Sequence, residues 1–301
     1  MDRAYPRLIL GCGNFGGIGS APAFFEQGET LEQALEVMDA AWAAGITWFD
    51  TADAYGGGRS ETYIGEWIRS RRPDGLRLTT KTFNPMDAGQ DRGLAPARVR
   101  RQIETSLRRL GVERVDLYLT HAWDPDVPIA ETAGVFDELV AAGKIGAYGL
   151  SNMNGGQLKE ALAAGSFVAA QSSYSLLDRD VEPDVLALCA AEGIWFQAHS
   201  PLSGGWLTGK YRRDAAAPEG SRMTLRPGPY EHLRDDAVYD AIEELARRGD
   251  PATLALAWLL AEPRVSVVIG PRRPDQLRPA LAALESPLPP PERDALTALF
   301  P

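Results

Sequence analysis

Short apolar runs alternate with helical segments eight times along this chain, and this alternation constrains the fold more than any other feature. Each unit takes roughly 30 to 40 residues, and several predicted strands are continuously apolar, as expected of parallel strands covered by helices. Eight such units favour a closed barrel over an open sheet. The predicted strands cover residues 7–10, 46–49, 76–81, 115–119, 145–150, 168–171, 194–198 and 265–269. We therefore predict an α/β fold, a (β/α)8 TIM barrel that forms one domain over residues 1–301.

The predicted barrel has additions after its seventh strand. Residues 202–231 are rich in Gly, Pro and Arg, and we interpret them as a long loop whose glycines allow it to fold over a bound molecule. Extra helices are predicted over residues 234–247 and 251–261, before the eighth strand. A short helix over residues 292–300 is predicted to end the chain.

Charge and cysteine content argue against several classes of protein. The formal net charge is −10 at pH 7, whereas a general nucleic-acid binder needs a basic face, so no nucleic-acid partner is predicted. The two cysteines, Cys12 and Cys189, form no CxxC pair, which is typical of the reducing cytoplasm. No apolar run approaches the ~20 residues of a membrane helix, and residues 1–6 lack the apolar core of a signal peptide. We expect a cytoplasmic protein without a membrane partner.

The charged and metal-ligating residue types give two further expectations. The three histidines show no metal-ligand spacing, so no metal is predicted. Two arginine clusters are interpreted as solvated surface: Arg69, Arg71 and Arg72, and Arg98, Arg100 and Arg101.

The sequence GCGNFG at residues 11–16 matches the G-x-G-x-x-G fingerprint of dinucleotide-binding folds. That fingerprint requires a helix that opens directly after it and holds the pyrophosphate. Here a loop follows, and the first helix is predicted only at the capping box that begins with Thr30. A glycine-rich loop over a ligand is therefore favoured over a Rossmann fold.

Residues 45–65, GITWFDTADAYGGGRSETYIG, place a carboxylate and a phenol next to the second predicted strand. Asp50 comes directly after the strand, Tyr55 lies on the loop, and Ser60 is predicted to cap the next helix. The three glycines after Tyr55 are expected to leave room for backbone beside a ligand. On this segment alone, proton-transfer chemistry and a packed loop with a buried turn-capping Asp are equally good interpretations.

Titratable residues recur at the carboxyl ends of other strands, where barrel enzymes carry their active sites. Lys81 ends the third strand and His121 follows the fourth. Tyr55 would act as general acid, with Lys81 lowering the pKa of the phenol and Asp50 fixing Lys81. His121 would hold the carbonyl oxygen. No side chain supplies hydride, so a nicotinamide cofactor is implied.

Seven segments, in order along nearly the whole chain, resemble the aldo-keto reductase family: GITWFDTADAYGGGRSE, LTTKTF, YLTHAWDPD, IGAYGLSNM, QSSYSLL, SPLSGGWLTGKY and IGPRRPDQL. The resemblance implies a catalytic tetrad of Asp50, Tyr55, Lys81 and His121, and NADPH or NADP+ as cofactor. It implies a carboxamide site at Ser151, Asn152 and Gln171, a pyrophosphate loop with Lys210, and a 2′-phosphate site at Arg272, Arg273 and Gln276. Further cofactor contacts are expected at Gly13, His199, Ser200, Leu202, Gly204, Leu207 and Gly270.

This chain departs from the pattern of the family at three points. His199 stands where the family often has a Tyr or Trp that stacks on nicotinamide, and we expect its imidazole to be neutral beside oxidised cofactor. Ala280 stands where an Asn often binds adenine, and the phosphate segment is shortened at Gly270. Phe15, Trp123 and Trp206 are candidates for the substrate pocket or for packing.

The sequence favours NADPH-dependent reduction of a small-molecule aldehyde or ketone. Two alternatives stay open: a non-catalytic NADPH-sensing subunit bound to a partner protein, as in potassium-channel β subunits of this family, and an NADP-dependent alcohol or sugar dehydrogenase. The sequence does not specify the substrate, the physiological direction or the oligomeric state.

Overall fold

Eight parallel strands form a closed barrel in the order in which they occur along the chain, and the predicted (β/α)8 fold is confirmed. The computed structural model describes residues 5–87, 89 and 91–300; the expectation about a signal peptide falls largely on residues 1–4, outside the described part. The strands are β1 (Leu8–Gly11), β2 (Trp48–Asp50), β3 (Arg77–Thr82), β4 (Val115–Thr120), β5 (Ile145–Ser151), β6 (Ala169–Ser173), β7 (Trp195–His199) and β8 (Val265–Ile269).

Helices surround the barrel and bury the outer faces of the strands. The predicted capping box at Thr30 is confirmed, because its hydroxyl accepts from the Gln33 backbone while the Gln33 side chain accepts from the Thr30 backbone. The helices are α1 (Leu31–Ala43), α2 (Arg59–Arg71), α3 (Pro96–Leu110), α4 (Ile129–Ala141), α5 (Gly155–Ala164), α6 (Ala187–Glu192), α7 (Arg222–Leu225), α8 (Asp236–Arg248), α9 (Pro251–Leu260), α10 (Arg278–Glu285) and α11 (Pro290–Thr297).

The inside of the barrel is divided into an apolar lower part and a polar upper part. The lower cluster consists of buried residues from five strands: Ile9, Leu117, Leu119, Ala169, Trp195 and Val268. Near the carboxyl ends of the strands, the buried side chains are polar or charged, and they include Asp50, Lys81, Gln171 and Gln197. The barrel therefore places its ionisable groups at one end, above a packed apolar floor.

Aromatic rings close the amino-terminal end of the barrel. Tyr5 stacks on Trp195 with ring centroids 4.3 Å apart, and Trp48 meets Trp195 edge-on at 4.9 Å. The Trp195 indole donates to the Ser266 hydroxyl over 2.7 Å. Strand β1 pairs with β8 through Leu8 and Val267, so the first and last strands complete the ring.

The structure corrects two expectations about individual side chains. Ser60 does not cap α2, because the helix already begins at Arg59; its hydroxyl instead donates to the Cys12 carbonyl over 2.9 Å. Arg98 is not on the solvated surface. Its side chain is only 4% exposed and donates to the Thr82 hydroxyl and the Asn84 carbonyl, both over 2.8 Å.

The long connection after β7 contains more regular structure than predicted. It carries the helix α7 and two 3₁₀ segments, Ser203–Thr208 and Gly228–Leu233. Such short turns have no apolar periodicity that a sequence reading detects. In the described part of the chain, no helix has the length and apolar character needed to cross a membrane.

Candidate active site

Asp50, Lys81 and Tyr55 meet at the upper end of the barrel. The Lys81 amine donates to Asp50 Oδ1 over 2.5 Å, to the Thr51 carbonyl over 2.9 Å and to the Tyr55 hydroxyl over 3.4 Å. Strands β2 and β3 are neighbours in the barrel, so the carboxylate at the end of one reaches the amine at the end of the other. Lys81 is fully buried, and the phenol of Tyr55 lies between its amine and the cleft above.

The loop that carries Tyr55 packs tightly on the loop after β1. Gly56 has a φ of 58°, and a Cβ at this position would lie 2.8 Å from the Gly16 carbonyl. The Gly56 amide also donates to the Gly19 carbonyl over 3.1 Å. Gly56 therefore makes room for the backbone of a neighbouring protein loop; the sequence predicted room for backbone beside a ligand. On the other side, Gly13 lies against the Tyr55 ring, and a Cβ at Gly13 would lie 3.5 Å from the nearest ring carbon.

Burial and the ion pair act against each other in setting the protonation of Lys81 and Tyr55. Burial lowers the pKa of Lys81, but Asp50 and Tyr55 outweigh it and the net pKa is raised, so the amine is charged. Burial raises the pKa of Tyr55, and the lowering by Lys81 does not overcome it. The sequence predicted the action of Lys81 but not the larger effect of burial. At neutral pH the phenol is protonated and able to donate.

His121 lies beside the phenol. Its ring meets the Tyr55 ring edge-on, with centroids 5.3 Å apart. Burial, with the nearby Lys81 and His199, lowers the pKa of His121 well below its ordinary value, so the imidazole is neutral. Its buried Nδ1 has no hydrogen-bond partner among the described residues.

A second histidine is fixed beside this group. His199 Nε2 lies 2.9 Å from Asn152 Oδ1, and the Asn152 amide nitrogen donates to the His121 carbonyl over 2.9 Å. Burial and Lys81 lower the pKa of His199 to about 4, which leaves a neutral ring at neutral pH. Asn152 and Ser200 have φ values of 55° and 53°, in a region that non-glycine residues rarely adopt. Such backbone strain tends to collect at functional sites.

Two other residues predicted for a carboxamide site differ in which of their polar atoms are already hydrogen-bonded. The Gln171 amide nitrogen donates to Asp50 Oδ2 over 2.8 Å and to Gln197 Oε1 over 2.7 Å, which leaves its amide oxygen as the remaining polar atom. The buried Ser151 hydroxyl has no partner within the described part of the chain. An unpartnered buried hydroxyl at a cleft wall is available to a bound molecule.

A cleft of about 1480 Å³ lies above these residues and is larger than the roughly 300–1,000 Å³ of most small-molecule sites. It extends from Tyr55 and His121 to a cationic end formed by the loops after β7 and β8. Most of the predicted cofactor residues line it: Gly13, Ser151, Asn152, Gln171, His199, Ser200, Leu202, Gly204, Lys210, Gly270, Arg272, Arg273 and Gln276. The volume of the cleft, and the mixture of polar, charged and apolar residues that line it, suit a dinucleotide together with a small substrate.

One predicted cofactor residue and the three predicted substrate residues do not line the cleft. Leu207 and Phe15 are buried in the hydrophobic core. Trp206 is also buried and packs on the rings of Tyr211 and Tyr239, with centroids 5.1 and 5.4 Å away. Trp123 is half-buried and packs against the same core. These positions favour the packing interpretation of the three aromatic residues.

Sequence reasoning missed several residues at the cationic end of the cleft. Arg222 lines the cleft and donates to the Asn14 side-chain oxygen over 2.6 Å. Glu29 is buried and forms an ion pair with Arg272. Glu29 and Arg222 lie far apart along the chain, in segments without a periodic pattern, so only the closed barrel reveals their proximity. No group of three or more His, Cys, Asp or Glu among the described residues is arranged to hold a metal ion.

Comparisons with known proteins agree with this geometry. A sequence model described as "Aldo/keto reductase family" matches residues 7–300. The NADH-specific methylglyoxal reductase of Escherichia coli (strain K12) is 34% identical over 297 residues, covering 91% of this chain and 89% of that protein. A Schizosaccharomyces pombe protein provisionally named a voltage-gated potassium channel subunit beta is 31% identical over 291 residues, covering 89% and 83%. The solved glycerol dehydrogenase of Gluconobacter oxydans superposes with a TM-score of 0.84 and 27% identity, covering 99% of this chain and 92% of that one.

Proposed function

Because this chain belongs to the aldo/keto reductase family, we propose that it reduces an aldehyde or ketone to an alcohol with hydride from NADPH. The observation that carries the proposal is the contact of one buried amine with both Asp50 and Tyr55. A cytoplasmic location fits this chemistry, since the substrate and the cofactor are small diffusible molecules.

The cleft residues fit a nicotinamide cofactor. For a carboxamide, the free Ser151 hydroxyl offers both a donor and an acceptor, and the amide oxygen of Gln171 offers an acceptor. Lys210, Arg272 and Arg273 offer positive charge for phosphates at the far end. A bound reduced nicotinamide supplies the hydride that no side chain can provide.

We assign the proton transfer to Tyr55. The phenol is protonated at neutral pH and donates to the carbonyl oxygen as negative charge develops there, while Lys81 stabilises the phenolate that forms. Asp50 keeps Lys81 charged and in place. The neutral His121, which packs edge-on against the phenol, orients the carbonyl oxygen.

The test is turnover of a panel of carbonyl compounds with NADPH and with NADH, followed by loss of the reduced-nicotinamide absorbance. Tyr55→Phe is expected to lower kcat by about 10²- to 10⁴-fold, the usual contribution of a general acid. Tyr63→Phe, on the half-buried part of α2, is the matched control and is expected to keep full activity. Full turnover in Tyr55→Phe would remove the phenol from the mechanism.

Two relatives keep other roles open for the same site. The solved glycerol dehydrogenase favours the reverse reaction, in which the Tyr55 phenolate accepts a proton from an alcohol. The relative named for a potassium channel favours a cofactor-sensing role with a partner protein. Tight dinucleotide binding without turnover of any carbonyl or alcohol would support the second role. Turnover confined to alcohols with oxidised cofactor would support the first.

A further inference from the structure

At one end of the cleft, positively charged side chains outnumber the carboxylates that could neutralise them. Lys210, Arg222, Arg272 and Arg273 all line it. Burial, and then repulsion by Arg272, Arg222 and Arg273, lower the pKa of Lys210. Arg222 donates to a neutral amide oxygen on Asn14 over 2.6 Å. A crowded set of cations at a cleft wall is suited to an anionic ligand, and phosphate is the usual one.

The carboxylate of Glu29 reaches this set from the loop before α1, in addition to that of Asp275, which lines the cleft and forms an ion pair with Arg273 over 3.2 Å. Glu29 is 3% exposed and forms an ion pair with the Nε of Arg272. Its backbone is fixed on both sides, because its amide donates to the Asn14 carbonyl over 2.8 Å and its carbonyl accepts from Gly16 over 2.9 Å. Burial raises the pKa of Glu29, against the lowering by Arg272, so the structure bears a cost to keep this group here. The other oxygen, Oε2, has no partner among the described residues.

The contacts of Arg272 leave it poorly prepared for a phosphate. Its Nε is taken by Glu29, and its Nη1 donates to the Gly220 carbonyl over 2.6 Å. A guanidinium binds phosphate best with two parallel N–H groups along one edge. Each edge of the Arg272 guanidinium that could bind a phosphate with two N–H groups has one nitrogen already engaged, so only Nη2 is left for a ligand. The Glu29 carboxylate also remains paired with the same guanidinium.

We propose that Glu29 is a specificity-determining residue that weakens binding of the phosphate monoester of NADP(H) at Arg272 and so brings the affinities for NADPH and NADH close together. The inference rests on the proposed function, since it requires that the cleft binds a nicotinamide dinucleotide. A phosphate monoester carries about −1.5 to −2 charges at pH 7. At Arg272 it finds a guanidinium whose charge is already paired with the Glu29 carboxylate and which has one free edge nitrogen. A dinucleotide without that phosphate avoids this penalty.

The experiment measures dissociation constants of NADP+ and NAD+ by quenching of tryptophan fluorescence, in the wild type and in Glu29→Gln. The variant is expected to bind NADP+ about tenfold more tightly, the size of one partly screened like-charge contact, while NAD+ affinity changes by less than about twofold. Glu32→Gln, an exposed carboxylate in the first turn of α1, is the matched control and is expected to alter neither constant.

Two fragments locate the effect. Glu29→Gln is expected to strengthen binding of 2′,5′-ADP, which carries the extra phosphate monoester, and not of 5′-AMP. In an Arg272→Gln background, the same substitution is expected to give a smaller gain, because the guanidinium it would release is absent. A near-ultraviolet circular dichroism spectrum equal to that of the wild type checks the fold. If Glu29→Gln does not fold, Glu29→Ala is expected to shift the same ratio in the same direction.

An unchanged ratio of the two dissociation constants, or weaker NADP+ binding, would overturn this inference while leaving the proposed reductase intact. The second result would mean that Glu29 orients Arg272 for the phosphate. A wild-type protein that binds neither dinucleotide would overturn the proposed function, and this inference with it.

Discussion

The amine of Lys81 holds the candidate site together at the scale of single residues. It is the partner of a buried carboxylate and, at the same time, the neighbour of a phenol. A buried charge without a counter-charge costs several kcal/mol. The positions of Asp50 and Lys81 were predictable because each stands at the end of a predicted strand, and Tyr55 lies on the loop that follows β2.

Lys81→Met tests both roles of the amine. We expect kcat to fall by at least about 10²-fold, and the free energy of unfolding to fall by about 3–5 kcal/mol, because Asp50 is left buried and unpaired. The double variant Asp50→Asn/Lys81→Met is expected to regain much of the stability without regaining activity. Urea unfolding and steady-state kinetics measure the two effects. Equal stability of the single and double variants would contradict the buried ion pair.

Asp53 is a second buried acid, behind the barrel wall and two residues before Tyr55. It accepts from the Thr82 hydroxyl over 2.7 Å, and the Arg98 guanidinium is 4.0 Å away. Burial, followed by the nearby Glu61, raises the pKa of Asp53 from 3.8 to about 7. Arg98 and Asp53 were missed because their helix and loop positions look like exposed surface in the sequence. Only the approach of α3 to β3 buries them.

The raised pKa of Asp53 predicts a pH dependence of stability. Between about pH 4 and pH 7 the folded protein keeps a proton that the unfolded chain has released, so ionisation of Asp53 lowers the free energy of unfolding as pH rises. Asp53→Asn lacks this ionisation. The stability of the variant relative to the wild type is therefore expected to increase with pH up to about 7 and then to level off. Urea unfolding at pH 5 and pH 8 measures the difference, and a pH-independent difference would contradict the assignment.

At the scale of elements, the sequence located every strand to within a residue or two. Apolar runs in a parallel barrel are long enough to be seen, and the capping box of α1 marks a helix start by its chemistry. Between β6 and β7, the helical stretch is divided into a π-helical segment, Glu182–Leu186, and α6. The ends of elements depend on which carbonyl a given amide reaches, and this is decided by tertiary packing.

The cap of α1 gives a prediction at this scale. Thr30→Ala removes the hydroxyl that accepts from the Gln33 backbone, and we expect a loss of about 1 kcal/mol in the free energy of unfolding. Thr30→Ser keeps an acceptor and is expected to stay within a few tenths of a kcal/mol of the wild type. Denaturant unfolding of both variants measures the cap, and equal losses would show that the hydroxyl is not responsible.

At the scale of the whole molecule, the lower cluster and the aromatic closure stabilise the barrel at the end opposite to the cleft. Trp195 belongs to both, since it stacks on Tyr5 and packs among the residues of the lower cluster. The closed ring itself was predictable from eight repeats. The contact of Glu29 with Arg272, which joins loops from opposite ends of the sequence, was not.

Trp195→Ala separates stability from function. Removing a buried indole is expected to cost about 3–5 kcal/mol in the free energy of unfolding. Because the indole starts β7 and the cleft lies beyond the end of that strand, the dissociation constant for the dinucleotide is expected to stay within about twofold of the wild-type value. Thermal unfolding and fluorescence titration test the two statements separately. A large loss of affinity in a folded variant would show that the two ends are coupled.

The division of the barrel interior has a practical meaning for anyone who wishes to retarget this protein. Mutant libraries confined to the loops after β1 and β4 would sample new substrates while sparing the apolar floor, so screening losses through misfolding should be few. The exception is the contact of Gly56 with Gly16, where the loops after β2 and β1 pack closely on each other and must be varied together.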